Sequence, residues 1–267
     1  MKPSRHVNAL LERAYDHAIS VGNAAPREAV LELIGTLAAF DTGRGLVRVG
    51  PAGDGGYLLP DDLDGIAACV SPGVSTQSGF DLALAERGID VYMADASVDG
   101  PAVSHPRFYF EKKFLGPVSA GKFVTMADFI QAIPAIAPGA DLILQMDIEG
   151  GEYPVLLGMD RALLSLFRIV IVELHGLENL FHGFSFALIQ ATVEKLLADH
   201  RVVHLHPNNC CGSVVRQGIE IPRVLEVTLY RKDRATFTRN PARAYPHSLD
   251  ADNVAGNPPL VLAQSWR

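Results

Sequence analysis

The chain has 267 residues, with 23 Lys and Arg against 30 Asp and Glu, for a formal net charge of −7. It contains no Lys/Arg-rich run, so a nucleic-acid substrate held by phosphate neutralisation is not expected. Three cysteines, two of them adjacent as Cys210-Cys211, make no disulfide framework, and no window approaches eighteen uncharged apolar residues; a cytoplasmic protein without a membrane span is expected.

In chain order, Asn8 to Val21 carries Leu10, Leu11, Ala14 and Ala18 at helical spacing, and Arg27 to Phe40 does the same with Val30, Leu31, Leu33, Ile34 and Leu37. These helices are expected to form an N-terminal helical cap, residues 1–45, that packs on a sheet or covers a ligand. Leu46–Gly50 and Asp54–Leu59 follow as short extended segments punctuated by glycine. From Ile66 strands alternate with helices. The spacing predicts strands at Ile66–Val70, Asp90–Ala94, Phe108–Glu111, Asp141–Met146, Ile169–Leu174, Val202–His206 and Val224–Tyr230. Helices are predicted at Gly79–Arg87, Met126–Ile133, Glu152–Leu157, Leu163–Leu166 and Phe186–Asp199. Alternation of this kind means an α/β fold with a mainly parallel sheet and right-handed crossovers. The polar stretch between His206 and Val224 shows no helix, so the seventh strand is expected to run antiparallel to its neighbours. Residues 46–235 then form one α/β domain, and 236–267 a proline-interrupted tail packed on the surface.

The unit from Ile66 to Asp95 is a strand, a small-residue turn (Ser71-Pro72-Gly73-Val74-Ser75-Thr76), a helix and a second strand ending in an acid. In an open α/β sheet such a unit offers backbone N–H groups at the turn and a carboxylate about twenty residues later for a ribose. Gly73, Ser75 and Asp95 are therefore expected to hold an adenosine-type cofactor. The turn lacks G-x-G-x-x-G, so little backbone can approach a pyrophosphate, and a dinucleotide is the weaker reading. Asp54-Gly55-Gly56-Tyr57 reads either as a plain β-turn or as a flexible element bringing Asp54 to the cofactor's amino-acid end. Asp128, three residues after Thr125, reads as part of a helix cap or as a further cofactor contact.

The remaining ionisable groups gather at strand ends. Asp147 closes an apolar strand, at the edge where such sheets bind ligands. Strand alternation places Glu173 and His175 on one face, and likewise His204 and His206. With an antiparallel seventh strand, Glu226 comes to the same edge. Asp147, Glu173, His175, His206 and Glu226 are thus expected to converge, with Asp147, His175, His206 and Glu226 as candidate ligands of a divalent metal ion and Asp147, His175 and His206 as the catalytic set. Three outcomes stay open: a metal that acidifies a substrate hydroxyl, metal-free general-base catalysis by His175 or His206, or histidines hydrogen-bonded structurally.

Asp147-Ile148-Glu149-Gly150-Gly151-Glu152, preceded by Leu142-Ile143-Leu144-Gln145-Met146, resembles the D-[IV]-E-G-x-E signature of FkbM-type methyltransferases. Asp54-Gly55-Gly56-Tyr57, Val170 to His175 and His204 to Asn209 are similar to a branch of the same family, so the likeness extends from about Val47 to Tyr230. It implies the Rossmann-like class I methyltransferase fold, S-adenosylmethionine as cofactor, and transfer of its methyl group to a hydroxyl of a sugar, glycoconjugate or natural product. The chain departs from the family at its first turn, where Gly73 is the only glycine between Ser71 and Ser78 and Pro72 removes a donor. A nicotinamide-dependent oxidoreductase and a non-catalytic binding protein are the alternatives. The partner expected is a small-molecule substrate, with no membrane; a homo-oligomer is left open.

Overall fold

Unbroken apolar runs, rather than alternating ones, build the centre of the molecule, as strands buried on both faces require. The computed structural model describes residues 22–74, 77–133, 136–137, 139–240 and 242–267. Its main sheet has seven strands: β1 (Ile66–Pro72), β2 (Asp90–Ala94), β3 (Phe108–Glu111), β4 (Asp141–Met146), β5 (Phe167–Leu174), β6 (His200–Pro207) and β7 (Leu225–Arg231). They lie in the order β6-β7-β5-β4-β1-β2-β3. Neighbours from β5 to β3 pair in parallel, whereas β7 is antiparallel to both β5 and β6. Each strand expected from the sequence is present, shifted by at most two residues at either end.

The odd direction of β7 has a local cause. Between β6 and β7 the chain makes a hairpin, Ser213–Arg216 against Ile219–Pro222, instead of a crossover helix. Gln217 and Gly218 both adopt positive φ (48° and 74°), the two-residue turn that matches strand twist. Gln is an unusual first residue for such a turn, which is why the hairpin was not legible as one.

The helices α1 (Arg27–Thr36), α2 (Gly79–Glu86), α3 (Met126–Gln131), α4 (Glu152–Gly158), α5 (Arg161–Leu164) and α6 (Gly183–Asp199) cover the sheet. Alternate strand residues feed two cores. Val70, Leu144 and Val172 pack with α1, α3, α4 and α6 on one face; Cys69, Ile143 and Ile171 pack with Phe80 and Leu84 of α2 on the other. A hairpin of Leu46–Val49 and Tyr57–Pro60 completes the second face. At the amino edge, Arg168 is 5% exposed and bonds Asp141 Oδ2 through Nε (2.9 Å) and Nη2 (2.6 Å), with Asp62 Oδ1 3.5 Å away.

The two ends are fixed differently. Of the expected N-terminal cap, Asn8–Val21 lies outside the described residues, while α1 takes the sheet-packing alternative, burying Val30, Leu33 and Ile34 in the core, and lines no part of the site below. The final segment does not simply lie on the surface. Trp266 and Leu262 are fully buried among apolar side chains, and Trp266 Nε1 donates to Glu220 O at 2.9 Å. A large indole is worth more inside than out, so the segment folds back to bury it.

Candidate active site

The sheet order reverses between β1 and β4, and ligands of open α/β sheets bind outside the carboxyl ends at that point. There the turns after β1 and β4 touch. Gly73 has φ +93°, and a Cβ on it would lie 1.6 Å from the Asp147 carbonyl oxygen, so only glycine can stand there. Two depressions meet at this contact, both lined by Gly73 and Asp147. One is a cleft of about 590 Å³ whose wall is apolar along Phe114, Leu115, Phe123 and Ile148 and polar at Asp95 and Ser97. The other is a recess of about 30 Å³ bounded by Asp54, Tyr57, Ser71, Asp81 and Gln145.

The structure brings three of the expected cofactor residues here. Gly73 joins the depressions, Asp54 borders the recess, and Asp95 lines the cleft, with its Oδ1 accepting from Ser97 N at 2.7 Å and Ser97 Oγ at 2.6 Å. Ser75 lies outside the described residues. Asp128 does not belong to the site. Its backbone N–H donates to the Thr125 hydroxyl in the α3 N-cap, its carboxylate accepts from Ser119, and it lines neither depression. Thr125 caps the helix through the Asp128 N–H, and the Asp128 carboxylate is engaged by Ser119 rather than free for a ligand.

Beside the cleft, β4 and β5 deliver Asp147 and His175 to one place. His175 Nδ1 is 3.0 Å from Glu152 Oε1, and its Nε2 is 3.7 Å from Asp147 Oδ1, 3.6 Å from Glu149 Oε2 and 3.7 Å from Glu173 Oε1. Glu152 is fully buried and also accepts from Ile148 N (3.1 Å) and Gly150 N (3.2 Å), so the turn after β4 and the imidazole are fixed by one carboxylate. Glu149 holds the left-handed φ of 55°, uncommon for a side chain of its size and concentrated at functional sites.

The charges shift each other. Burial pushes Asp147 up to about 6, with Glu149 and Glu152 adding to the rise and His175 opposing it. Burial alone would lower His175, but the Glu152 hydrogen bond and the surrounding carboxylates hold it above the ordinary histidine value. Glu173 rises to about 10, through burial and then the charges of Asp147 and Glu226.

His206 and Glu226 do not join that group, contrary to the expected four-ligand metal set. β7 lies between β5 and β6, so Glu226 pairs with Glu173 on one side and with His206 on the other. Two strand spacings, about 10 Å, separate His206 from β5, too far for one ion with bonds near 2 Å. His206 instead belongs with the closing segment: its Nε2 is 3.2 Å from Asn253 Oδ1 and its Nδ1 3.7 Å from Asp250, which also binds His204 Nε2 at 2.8 Å. Asn253 in turn donates to Glu226 at 2.7 Å. Among the described residues, one group has donor atoms close enough to share an ion, Asp147, Glu149 and His175, all within 4.8 Å of each other.

Glu149, Glu152, Asp81 and Asp250 were not singled out from the sequence as functional. Glu152 could have been: it lies five residues after Asp147 in the same motif, the distance at which a first helical turn folds back. Asp250 had no signal, standing far along the chain from the histidines it binds.

A seven-stranded sheet in this order, with the one antiparallel strand second from its edge and a cleft at the carboxyl rim of β1, β2 and β4, is the class I methyltransferase fold. Residues 124–198, which contain β4, Asp147 and His175, match the family model described as the methyltransferase FkbM domain. No curated protein matches the sequence. Among solved structures, a protein from Thermoplasma acidophilum assigned as a methyltransferase is similar at 10% identity over 64% of this chain and 70% of that one, with a TM-score of 0.34. A protein from Pyrococcus horikoshii assigned as an RNA methyltransferase is similar at 12% identity over 63% and 76%, with a TM-score of 0.30. Magnesium protoporphyrin IX methyltransferase from Synechocystis, with bound S-adenosylhomocysteine, is similar at 13% identity over 87% and 90%, with a TM-score of 0.32. No helix among the described residues is long and apolar enough to cross a membrane.

Proposed function

We propose that the protein is an S-adenosylmethionine-dependent O-methyltransferase acting on a hydroxyl of a small polar substrate, a sugar, glycoconjugate or related natural product. The carrying observation is the fixed imidazole. Glu152 orients His175 so that Nε2 faces Asp147 at the lip of the cleft, the place where a hydroxyl beside the donor would lose its proton.

The residues fit the cofactor. The cleft volume falls within the range of small-molecule sites, its apolar wall suits a purine, Asp95 suits a ribose, and Gly73 leaves room for a close approach. S-adenosylmethionine, when bound, supplies a methyl group on a sulfonium for in-line displacement. What the chain must add is position and proton removal. An alcohol is barely ionised at neutral pH, and a positioned base contributes typically 10²- to 10⁴-fold. Neutral His175 takes that proton at Nε2, and Asp147, 3.7 Å away, stabilises the resulting imidazolium. Glu149 and Glu173 stabilise it further from 3.6 and 3.7 Å.

A second reading rests on the closeness of Asp147, Glu149 and His175 donor atoms. These three would hold a divalent cation, which would acidify the hydroxyl and orient it. Methylation of a panel of sugars and polyols by purified protein, with His175→Ala and Asp147→Ala, tests the proposal. Both variants should lose at least 10²-fold in kcat while binding S-adenosylhomocysteine within a few-fold of the parent. Full turnover by both would remove the assignment. Loss of activity on dialysis against chelator, restored by one divalent metal, would select the second reading.

A further inference from the structure

The recess beneath Gly73 holds a carboxylate with one oxygen, Asp81 Oδ1, that no group among the described residues satisfies. Asp81, in the first turn of α2, is 6% exposed, and its Oδ1 is buried without a hydrogen-bond partner. The Ser71 hydroxyl is shared between Asp81 and Gln145 Oε1, the latter at 2.8 Å, so the neighbourhood offers the carboxylate little. Gln145 spends its amide N–H on the Tyr57 hydroxyl at 3.2 Å. No Lys, Arg or His lines the recess, although Asp54, Asp81 and Asp147 all do. Arg48, in the adjoining hairpin, is committed to the carbonyls of Pro51, Gly53 and Leu249.

An unpaired buried carboxylate is costly, and a fold keeps one where a ligand supplies the missing charge. The recess volume, about 30 Å³, admits one group the size of a water or an ammonium. It shares Gly73 and Asp147 with the cleft, and so adjoins the region that would hold the cofactor. Resting on the S-adenosylmethionine reading above, we propose that Asp81 receives the α-ammonium of the cofactor's amino-acid end, the recess being a socket for a single cation. This carboxylate comes from the helix after the first strand. The strand's own end, Ser71, is uncharged, so the helix supplies the charge that the strand end does not. The cofactor's adenosine half would be held by the cleft and its charged half by Asp81. The site would then distinguish adenosyl compounds that carry the ammonium from those that do not.

Calorimetric titration of the full chain and of Asp81→Asn with two ligands tests this. S-adenosylhomocysteine keeps the amino-acid end; 5′-methylthioadenosine lacks it. The expected result is a loss of at least 10-fold in affinity for S-adenosylhomocysteine in the variant, with methylthioadenosine affinity held within two-fold. The second ligand also reports that the variant is folded. Equal weakening of both ligands, or no weakening of either, overturns the assignment. So does finding that Asp54→Asn carries the loss while Asp81→Asn does not. If the parent protein binds neither ligand, the cofactor reading itself fails, a result separable from all the others.

Discussion

Glu152 shows how a single side chain can determine the site. Its buried carboxylate holds two backbone N–H groups of the turn after β4 and the Nδ1 of His175. We treat it as a positioning residue, and its effect is visible in pH dependence. On the proposed reading His175 must be neutral to act as the base, so turnover should be lost as pH falls through the His175 value, which lies above the ordinary histidine value near 6.5. Glu152→Gln removes the charge that raises it while burial, which lowers it, persists. The low-pH limb of the kcat profile should therefore move to lower pH by a unit or more, with the plateau reduced about 10-fold. An unmoved limb would show that Glu152 serves the turn alone. At this scale the sequence was partly informative. That Asp147 and His175 come together could be read from strand ends and alternation, whereas the burial of Asp81 could not, since an acid in a first helical turn looks like ordinary dipole complementation.

Among elements, the central strands were the most legible part of the chain. Their runs of Val, Ile and Leu admit no helical face, and the β/α alternation fixes their direction. What pattern alone did not give was lateral distance. Placing β7 between β5 and β6 follows from the absence of a crossover helix, and the same placement removes His206 from the metal set. The amino edge gives a stability prediction. Arg168 links β5 to Asp141 of β4 and to Asp62, and holds Asp141 below the usual carboxylate range against the opposing effect of burial. Arg168→Ala removes one of the two guanidinium partners of Asp141, which keeps Arg231, while Asp62 keeps Tyr230 and Arg234; the loss should cost about 1.5–3 kcal/mol, read from denaturant midpoints at pH 7. A carboxylate with a lowered folded-state value stabilises above its unfolded value near 3.9 and stops doing so as pH falls through the folded one. The gap between parent and variant should therefore narrow below pH 4. A constant gap would mean that Arg168 acts by packing.

Across the whole molecule, the closing segment holds distant parts together. Trp266 packs in the same core as α1, and Asp250 and Asn253 reach the imidazoles of β6 and the carboxylate of Glu226. None of this was readable, because single residues in a proline-interrupted stretch carry no periodicity. Trp266→Ala should destabilise the protein by about 3–5 kcal/mol, lowering Tm by roughly 10 °C in a thermal melt. A shift under about 2 °C would mean that the indole's burial contributes little to stability.

The contact between Gly73 and the Asp147 carbonyl has an evolutionary corollary. Because a single carbonyl separates the floor of one compartment from the wall of the other, neither can be reshaped without disturbing its neighbour. Descendants of this protein that take up new acceptors are therefore free to change the outer loops, where insertions cost little, but must inherit this seam intact.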